Sequence, residues 1–270
     1  MRSTLISSRA NPRVKQLRAA FAGHARLAAG LVAIEGEHLL FEAMRSGLVF
    51  KTIFVSERRG IPDWTPGNVE LIELTDEVFA SVVDTQSPQG IAALLVPPVW
   101  TIDDAVPVRT PAPLVLIAAG LQDPGNLGTL VRSAEAFGAS AVLTTAGTVS
   151  EWNQKALRAS AGSVFRVPVV QAAAGELAAL KGRGVRILAA VAPEAEADPE
   201  GDAVSVAAHA ADLTGGCALM IGNEGAGLSA ELLAIADARI NIPTPGRVES
   251  LNAAVAGSLL LYEASRQRTR

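Results

Sequence analysis

Two glycine- or proline-rich breaks late in the chain carry polar side chains that a simple turn would not require. The first break, at residues 222–227, follows the apolar run 217–221, and the second, at residues 243–246, follows the run 238–242. Turns that follow buried parallel strands expose backbone amides and carbonyls to ligands, so this pattern predicts a pocket at two strand ends. These polar residues are Asn223 and Glu224 in the first break, and Ser250 and Asn252 shortly after the second.

A third set of polar residues opens a predicted helix behind an earlier apolar run, residues 114–118. We interpret Asn126 as the cap of this helix, and Arg132 follows it by less than two turns. Free amides and the helix dipole at such an N-terminus favour an anion. The alternative is an ordinary capped helix that carries a surface arginine.

Other cofactor and catalytic signatures are not found in the sequence. The glycines of residues 222–227 stand in the wrong order and too late in the chain for a dinucleotide fingerprint, and a Gly-Lys-Ser/Thr phosphate loop is absent. The three histidines lie outside the predicted turns, so no nucleophile–histidine pair is indicated. We interpret Cys217, in an apolar run, as a buried structural thiol, and we expect neither a disulfide nor a metal site.

The composition is that of a globular protein with a basic beginning. Of its 270 residues 49% are hydrophobic, and no apolar run approaches the length of a membrane span. No secretory signal is seen, so we expect a cytoplasmic protein. The net charge is −4, yet six basic residues precede the first acidic one, Glu35: Arg2, Arg9, Arg13, Lys15, Arg18 and Arg26. This cluster suits a phosphate-rich partner, or else forms a solvated basic helix face.

The first third of the chain alternates strands and helices. A helix beginning at Pro12 carries the basic residues, so residues 1–28 are predicted as a basic helical arm. Strands at residues 31–34, 52–55, 69–72 and 91–96, with helices at residues 35–45 and after Thr75, predict a small α/β domain over residues 29–97. Five prolines within residues 97–113 predict an extended linker at residues 98–113.

Residues 114–270 predict a second α/β domain. The continuous apolar run at residues 114–118 is expected for a parallel strand that is covered on both faces. Further strands are predicted at residues 141–143, 167–170, 185–191, 217–221 and 238–242. An acidic, exposed loop is predicted at residues 193–203, and a final helix runs from Asn252 to about Gln267.

Three segments of this second domain resemble, in order, the signature motifs of the SpoU/TrmH family of SPOUT-class RNA 2′-O-ribose methyltransferases. The first is Asn126-x-Gly128-x-x-x-Arg132, and the second spans residues 221–227. The third consists of Ile242-Pro243, Gly246 and Ser250-Leu251-Asn252. The segments at residues 35–36 and 87–90 are similar to the ribosomal-protein-like RNA-binding domain that often precedes this family's catalytic domain.

The resemblance implies a C-terminal parallel-sheet α/β domain with a trefoil knot, preceded by a small ribosomal-protein-like α/β domain. It implies S-adenosylmethionine bound in the knot, no metal, and a homodimer whose active site lies near the subunit interface. The implied cofactor contacts, mostly through backbone groups, are Gly222, Asn223, Ile242 and Leu251. The implied catalytic and structural polar residues are Arg132, Asn126, Glu224, Ser250 and Asn252.

The implied reaction is methyl transfer to a ribose 2′-hydroxyl of RNA, with ribosomal RNA the first choice and transfer RNA the second. Because a guanidinium is effectively always protonated, we expect Arg132 to bind a phosphate and stabilise the 2′-oxyanion; a base role would need an unusual environment. Glu224 is expected to anchor the backbone or orient a hydroxyl. The candidate RNA contacts are Arg13, Lys15, Arg18 and Arg158, the last of which is alternatively a helix-end cation.

Two other classes of protein stay open. A nucleotide-cofactor oxidoreductase is disfavoured by the missing first-strand fingerprint. An RNA-binding homologue that kept the fold without catalysis is disfavoured by the intact polar set.

Overall fold

The computed structural model describes residues 5–23, 30–83, 85, 87–106, 111–192, 205–248 and 250–269, so the predicted acidic loop lies outside the described residues. The chain forms two compact units. The first unit comprises Met1–Val99 and Trp152–Phe165, and the second unit comprises Trp100–Glu151 and Arg166–Arg270. In the described part of the chain, every helix falls short of the length and hydrophobicity that a bilayer span requires.

Strands and helices alternate along most of the described chain. The strands are β1 (Leu5–Ile6), β2 (Val32–Glu35), β3 (Val49–Ser56), β4 (Glu70–Leu74), β5 (Ile91–Val96), β6 (Leu114–Ala118), β7 (Ala141–Thr144), β8 (Val169–Gln171), β9 (Arg186–Val191), β10 (Ser205–Ala207), β11 (Cys217–Ile221) and β12 (Ala238–Asn241). The helices are α1 (Pro12–Phe21), α2 (Glu37–Arg45), α3 (Asp76–Ala80), α4 (Ile102–Ala105), α5 (Pro124–Ala136), α6 (Gln154–Ser160), α7 (Ala174–Ala179), α8 (Ala230–Ile235) and α9 (Ala253–Arg268).

The first unit is built on a five-stranded mixed sheet in the order β1-β4-β3-β5-β2. Strand β5 runs antiparallel to β2 and β3, whereas β4 runs parallel to β3 and β1. The four strands predicted in this part of the chain are confirmed. The two-residue strand β1 was not predicted, because a segment so short has no periodicity to detect.

Helix α1 packs into the core of the first unit. Asn11 Oδ1 accepts the Arg13 N–H at 2.9 Å and caps the helix, and Pro12 occupies its first turn, as predicted. Val14 and Leu17 are fully buried among the core side chains of the sheet. The sequence predicts residues 1–28 as a separate arm; instead the described helix is part of the first unit, because its apolar side completes that core.

The segment Trp152–Phe165 also belongs to the first unit, although the sequence predicts one continuous domain over residues 114–270. Gln154, itself buried, donates from Nε2 to the carbonyl of Ala33 at 2.9 Å. A Cβ added at Gly162 would lie 2.7 Å from the Cβ of Glu42, so the two backbones approach closely there. Periodicity records local structure and cannot reveal which unit a helix packs on, which explains the difference.

The second unit is built on a seven-stranded sheet in the order β10-β12-β9-β11-β6-β7-β8, and every pairing is parallel. The central strands β6 and β11 are buried along their whole length. The structure therefore confirms the predicted parallel α/β architecture. Strand β10 was not predicted, because only three residues pair there, at the edge beyond β12.

Part of the predicted linker is helical and buried. Thr101 and Asp104 form a capping box at the start of α4, and the hydrogen bonds from Thr101 lower the pKa of the Asp104 carboxyl. Ala105 and Val106 lie buried in the core of the second unit. An extended linker therefore does not describe residues 101–106, because a capped turn of helix interrupts the proline-rich stretch.

The final helix, α9, packs closely on α5 through small residues. A Cβ added at Gly257 would overlap the side chain of Leu130, so the helices can approach this closely only with glycine there. The hydroxyls of Ser133 and Ser258 lie 2.7 Å apart across the same contact. The position of α5 is therefore coupled to that of α9.

The C-terminal end of α9 is held near the amino ends of β6 and β11. Arg268 donates to the carbonyls of Leu213 at 2.8 Å and Ala112 at 2.7 Å. One turn earlier, Glu263 accepts hydrogen bonds from Arg266 and Gln267, which lower the pKa of the Glu263 carboxyl to about 2. These bonds fix the far end of the helix whose first residues enter the predicted pocket.

Candidate active site

The parallel strands of the second unit place four connecting segments at one edge of its sheet. The carboxyl ends of β6, β9, β11 and β12 lead into segments that begin at Ala119, Ala192, Gly222 and Ile242. Because parallel strands end at the same edge, these segments meet there. Both breaks singled out in the sequence belong to this set.

Residues 222–227 form a closed loop after β11. Asn223 and Gly227 exchange two backbone hydrogen bonds, with N to O distances of 3.1 and 3.0 Å. The Oδ1 atom of Asn223 accepts the amides of Gly225 at 2.9 Å and Ala226 at 3.1 Å. A Cβ added at Gly222 would lie 2.5 Å from the carbonyl carbon of Gly227. The loop can therefore close in this way only if residue 222 is glycine.

Asn126 connects this loop to the last helix. Its Nδ2 atom donates to Glu224 Oε1 at 2.5 Å, and its Oδ1 atom accepts from Asn252 Nδ2 at 3.1 Å. Asn252 in turn caps α9, because its Oδ1 accepts the amides of Ala254 and Val255. Three of the predicted polar residues thus form one hydrogen-bonded group.

Asp123, and not Asn126, caps helix α5. The helix begins at Pro124, and Asp123 Oδ1 accepts the Asn126 N–H at 2.9 Å. The interpretation of Asn126 as the cap was therefore wrong. Since Asp123 satisfies the free amide, the Asn126 side chain is available for Glu224 and Asn252.

A cavity of 540 Å³ opens between the closed loop, the end of β12 and the start of α9. Its walls include all four predicted cofactor residues, Gly222, Asn223, Ile242 and Leu251, together with Glu224 and Ser250. Additional apolar walls come from Leu228, Leu233 and Ile240. Sequence reasoning missed these three because ordinary core-type residues carry no signal that distinguishes a cavity wall from a core.

Arg132 lies on α5 outside the walls of this cavity. Its side chain is exposed, and among the described residues it forms no hydrogen bond or ion pair. An arginine without a local carboxylate keeps all its donors available for a phosphate or another anion. The structure thus places Arg132 on the same helix as Asn126 but does not bring it into the polar group.

The candidate RNA contacts lie in the first unit. Arg13 pairs with Glu70 at 2.8 Å, whereas Lys15 and Arg158 are exposed and form no such bond with another described residue. Arg158 lines a second cavity, of 160 Å³, together with Glu35, His38 and Gln89. Arg18 donates from Nη2 to the Ser81 hydroxyl at 3.5 Å, so within the described residues Lys15 and Arg158 are the cations of the predicted set that form no side-chain hydrogen bond or ion pair.

A parallel sheet whose strand ends carry a glycine loop and a small-molecule cavity defines a cofactor-binding α/β protein. The model of the SpoU rRNA Methylase family matches residues 113–262, and that of an MRM3-like substrate binding domain matches residues 11–93. The chain therefore belongs to the SpoU rRNA methylase family, which confirms the family indicated by the motifs.

Relatives in sequence and solved structures match nearly the whole chain. The 23S rRNA (guanosine(2553)-2'-O)-methyltransferase RlmP of Bacillus subtilis is 34% identical over 95% of this chain and 97% of its own length. The crystal structure of the SpoU methyltransferase AviRb from Streptomyces viridochromogenes with AdoMet has a TM-score of 0.82 at 28% identity, covering 96% of this chain and 98% of that one. An AdoMet-bound rRNA methyltransferase from Sinorhizobium meliloti has a TM-score of 0.81 at 28% identity, covering 98% of both chains.

The residues around the 540 Å³ cavity fit S-adenosylmethionine, the cofactor that the family resemblance implies. The volume lies within the roughly 300–1,000 Å³ typical of small-molecule sites. Apolar side chains such as Leu228 and Ile240 can cover a purine, and the turns at Gly222 and Ile242 offer backbone donors and acceptors. Within the described ranges, no group of three or more metal-ligating side chains is found.

We expect Gly222→Ala to weaken S-adenosylmethionine binding about 5- to 100-fold, because a Cβ would overlap the Gly227 backbone and overpacking costs about 1–3 kcal/mol. Titration calorimetry measures the change. Gly175→Ala is the control: this exposed glycine lies in α7, is not among the cavity's lining residues, and its Cβ would meet nothing within 4 Å. Equal losses in both variants would contradict the assigned role of Gly222.

Proposed function

We propose that this protein transfers the methyl group of S-adenosylmethionine to a ribose 2′-hydroxyl of RNA, and that the RNA is ribosomal. The observation that carries the proposal is the 540 Å³ cavity at the end of β11, closed by the glycine loop and adjoining the Asn126–Glu224–Asn252 group. The relatives and solved structures named above are ribosomal RNA or SpoU methyltransferases, which favours ribosomal over transfer RNA.

We propose that Gly222, Asn223, Ile242 and Leu251 hold the cofactor, largely through backbone groups. When bound, S-adenosylmethionine supplies a methyl group that its sulfonium already activates for attack. The protein then has to align the 2′-oxygen with that methyl and stabilise the charge that develops on the oxygen. The Ser250 hydroxyl, in the cavity wall, is available to orient a polar group of either ligand.

Arg132 is the residue that we propose stabilises this charge. A guanidinium is a permanent cation, so Arg132 can neutralise a phosphate or a developing 2′-oxyanion without proton transfer. The absence of a described ion-pair partner supports this role, since an arginine held by a carboxylate would have to break that bond first. Asn126, Glu224 and Asn252 position the helix that carries it.

We further propose a homodimer that forms through α9. Val255, Leu259 and Tyr262 recur at helical spacing, and they are 48%, 44% and 52% exposed. Three large apolar side chains on one helix face are costly to leave in water, and a second copy of the same helix would cover them. The Tyr262 ring also packs edge-on against Phe137 at 5.7 Å, which holds it in a fixed orientation.

We also propose that the backbone of the second unit forms a trefoil knot. Strand β12 pairs with β9 on the side away from β11, while α9 packs back against β11 and α5 at Gly257. The stretch between β12 and α9 therefore has to return across the sheet edge, which supports a threaded path. A complete crystallographic trace in which the C-terminal segment passes through no loop of the chain would contradict the knot.

We propose a cytoplasmic location for the protein, and cell fractionation tests it.

For the RNA, we propose that Arg13, Lys15, Arg18 and Arg158 contact phosphates. Lys15 and Arg158 contribute most, because within the described residues they form no side-chain hydrogen bond or ion pair, whereas Arg13 pairs with Glu70 and Arg18 donates to the Ser81 hydroxyl. The match of residues 11–93 to a substrate binding domain supports an RNA-binding role for the first unit.

Replacing Arg132 with alanine is expected to lower methyl transfer by about 100- to 1,000-fold, as loss of one oxyanion-stabilising donor does elsewhere, with unchanged cofactor affinity. The assay is transfer of tritiated methyl from S-adenosylmethionine to total RNA from a strain lacking the protein. Arg132→Lys should recover part of the rate, because it restores the charge but not the fork of donors.

Lys181→Ala is the control for this experiment, because Lys181 precedes β9 at the opposite edge of the sheet and pairs with Asp237 at 2.8 Å. Unchanged turnover in Arg132→Ala would contradict the proposed role of Arg132 in stabilising the charge on the 2′-oxygen. A wild-type protein that binds RNA but transfers no methyl would favour the non-catalytic homologue.

We expect Leu259→Arg to shift the protein from dimer to monomer in size-exclusion chromatography with light scattering, since a buried charge at the contact would be unpaired. Val206→Arg is the control: Val206 is 39% exposed on the edge strand β10, away from the α9 face. A monomeric wild type, or a dimer that tolerates Leu259→Arg, would contradict the proposed interface.

The double variant Lys15→Gln/Arg158→Gln should reduce the slope of log affinity against log salt by about 0.7–0.9 for each lost phosphate contact. Filter binding to purified ribosomal RNA across a salt series gives that slope, and Lys181→Gln is the control for loss of a positive charge elsewhere on the protein. Identical slopes for the double variant and the wild type would show that neither Lys15 nor Arg158 contacts an RNA phosphate.

A further inference from the structure

A turn with two threonines after β7 forms hydrogen bonds to the segment that follows β6. That segment in turn contacts the glycine loop at residues 222–227. The turn comprises residues 145–148, and the Thr148 N–H bonds to the Thr145 carbonyl at 3.1 Å. It belongs to none of the three motif segments of the sequence. Its side chains nevertheless reach Gly120, which lies between the end of β6 and helix α5.

Gly120 is held through both its N–H and its carbonyl. Its N–H donates to Thr148 Oγ1 at 3.0 Å and to Thr145 Oγ1 at 3.1 Å. Its carbonyl accepts from Asn223 Nδ2 at 2.9 Å. The residue has a φ of +67°, a left-handed conformation that side chains other than glycine rarely adopt. Gly120 therefore connects the threonine turn to the glycine loop at residues 222–227.

Thr148 is the better placed of the two threonines. Its hydroxyl accepts from Gly120 N and donates to the carbonyl of Ala118, the last residue of β6, at 3.1 Å. It thereby fixes Gly120 relative to the end of a buried strand. The Thr145 hydroxyl donates only to the neighbouring Ala146 carbonyl, at 3.4 Å, a weak local contact.

The bond from Asn223 transmits this position to the cavity. The other atom of the same amide, Asn223 Oδ1, accepts the Gly225 and Ala226 amides and so closes the loop beside Gly222. If Gly120 shifts, the amide of Asn223 has to follow or lose its acceptor. Both alternatives disturb the loop that forms one wall of the cavity.

We propose that Thr148 is a positioning residue for S-adenosylmethionine binding, acting through Gly120 and Asn223 on the loop at residues 222–227. The inference rests on the proposed function, because it assumes that this cavity takes the cofactor. Thr148 is not among the residues that line the cavity. Its hydroxyl keeps the loop in the binding conformation, so its loss changes affinity for the cofactor more than the stability of the fold.

The test is titration calorimetry of the full-length protein with S-adenosylmethionine. Thr148→Val keeps the shape and removes both hydrogen bonds, so we expect affinity to fall about 3- to 10-fold, as the net value of a hydrogen bond implies. Thr148→Ser keeps the hydroxyl and should restore affinity to within about twofold. Thermal melting checks that Thr148→Val still folds.

A double-mutant cycle with Asn223→Ala separates this role from a general structural one. If Thr148 acts through Asn223, Thr148→Val should cause little further loss of affinity in the Asn223→Ala background. Ser140→Ala is the matched control, because the Ser140 hydroxyl donates to the Leu114 carbonyl at 3.2 Å, at the other end of β6. That variant should bind S-adenosylmethionine as the wild type does.

Each outcome decides a separate question. Normal affinity in Thr148→Val, additive losses in the cycle, or an equal loss in Ser140→Ala would overturn the proposal while the proposed function stands. A folded wild-type protein that does not bind S-adenosylmethionine would overturn the proposed function, and this proposal with it.

Discussion

The site depends on a single amide side chain that joins three distant parts of the chain. Asn126 donates to Glu224 and accepts from Asn252, which lie 98 and 126 residues away in sequence. An amide can serve both partners at once only if helix α5, the glycine loop and the start of α9 all hold their positions. The packing of the second unit keeps those three elements in their relative positions.

Two sets of hydrogen bonds, at opposite ends of the sheet, hold the glycine loop and helix α9 in these positions. At the strand ends, Gly120 donates its N–H to the hydroxyls of the threonine turn and accepts at its carbonyl from Asn223 Nδ2, so the loop is tied to the buried strand β6. At the far end of α9, Arg268 binds the carbonyls of Leu213 and Ala112. Between them, Gly257 lets α9 lie directly on α5. The cap residue Asn252 is therefore placed by contacts along the whole helix.

Much of this could be predicted from the sequence because the signals are local. Buried strands show as apolar runs, and the family resemblance of the motifs implies that Gly222, Ile242 and Leu251, which line the cavity, contact the cofactor. The failures have non-local causes. Asn126 could not be told from a cap without knowing that Asp123 takes that role. The packing of α1 and the burial of Ala105 depend on partners distant in the chain, which periodicity does not encode.

The most direct test of the account is a crystal structure of the protein with S-adenosylhomocysteine, the product form of the cofactor. We expect the nucleoside to lie in the cavity between the glycine loop, the end of β12 and the start of α9. Its polar edge should bond to backbone groups at Gly222, Ile242 and Leu251, with the Asn126–Glu224–Asn252 group intact. A ligand bound elsewhere, or one that enters only after the loop at residues 222–227 opens and Asn126 loses its partners, would contradict it.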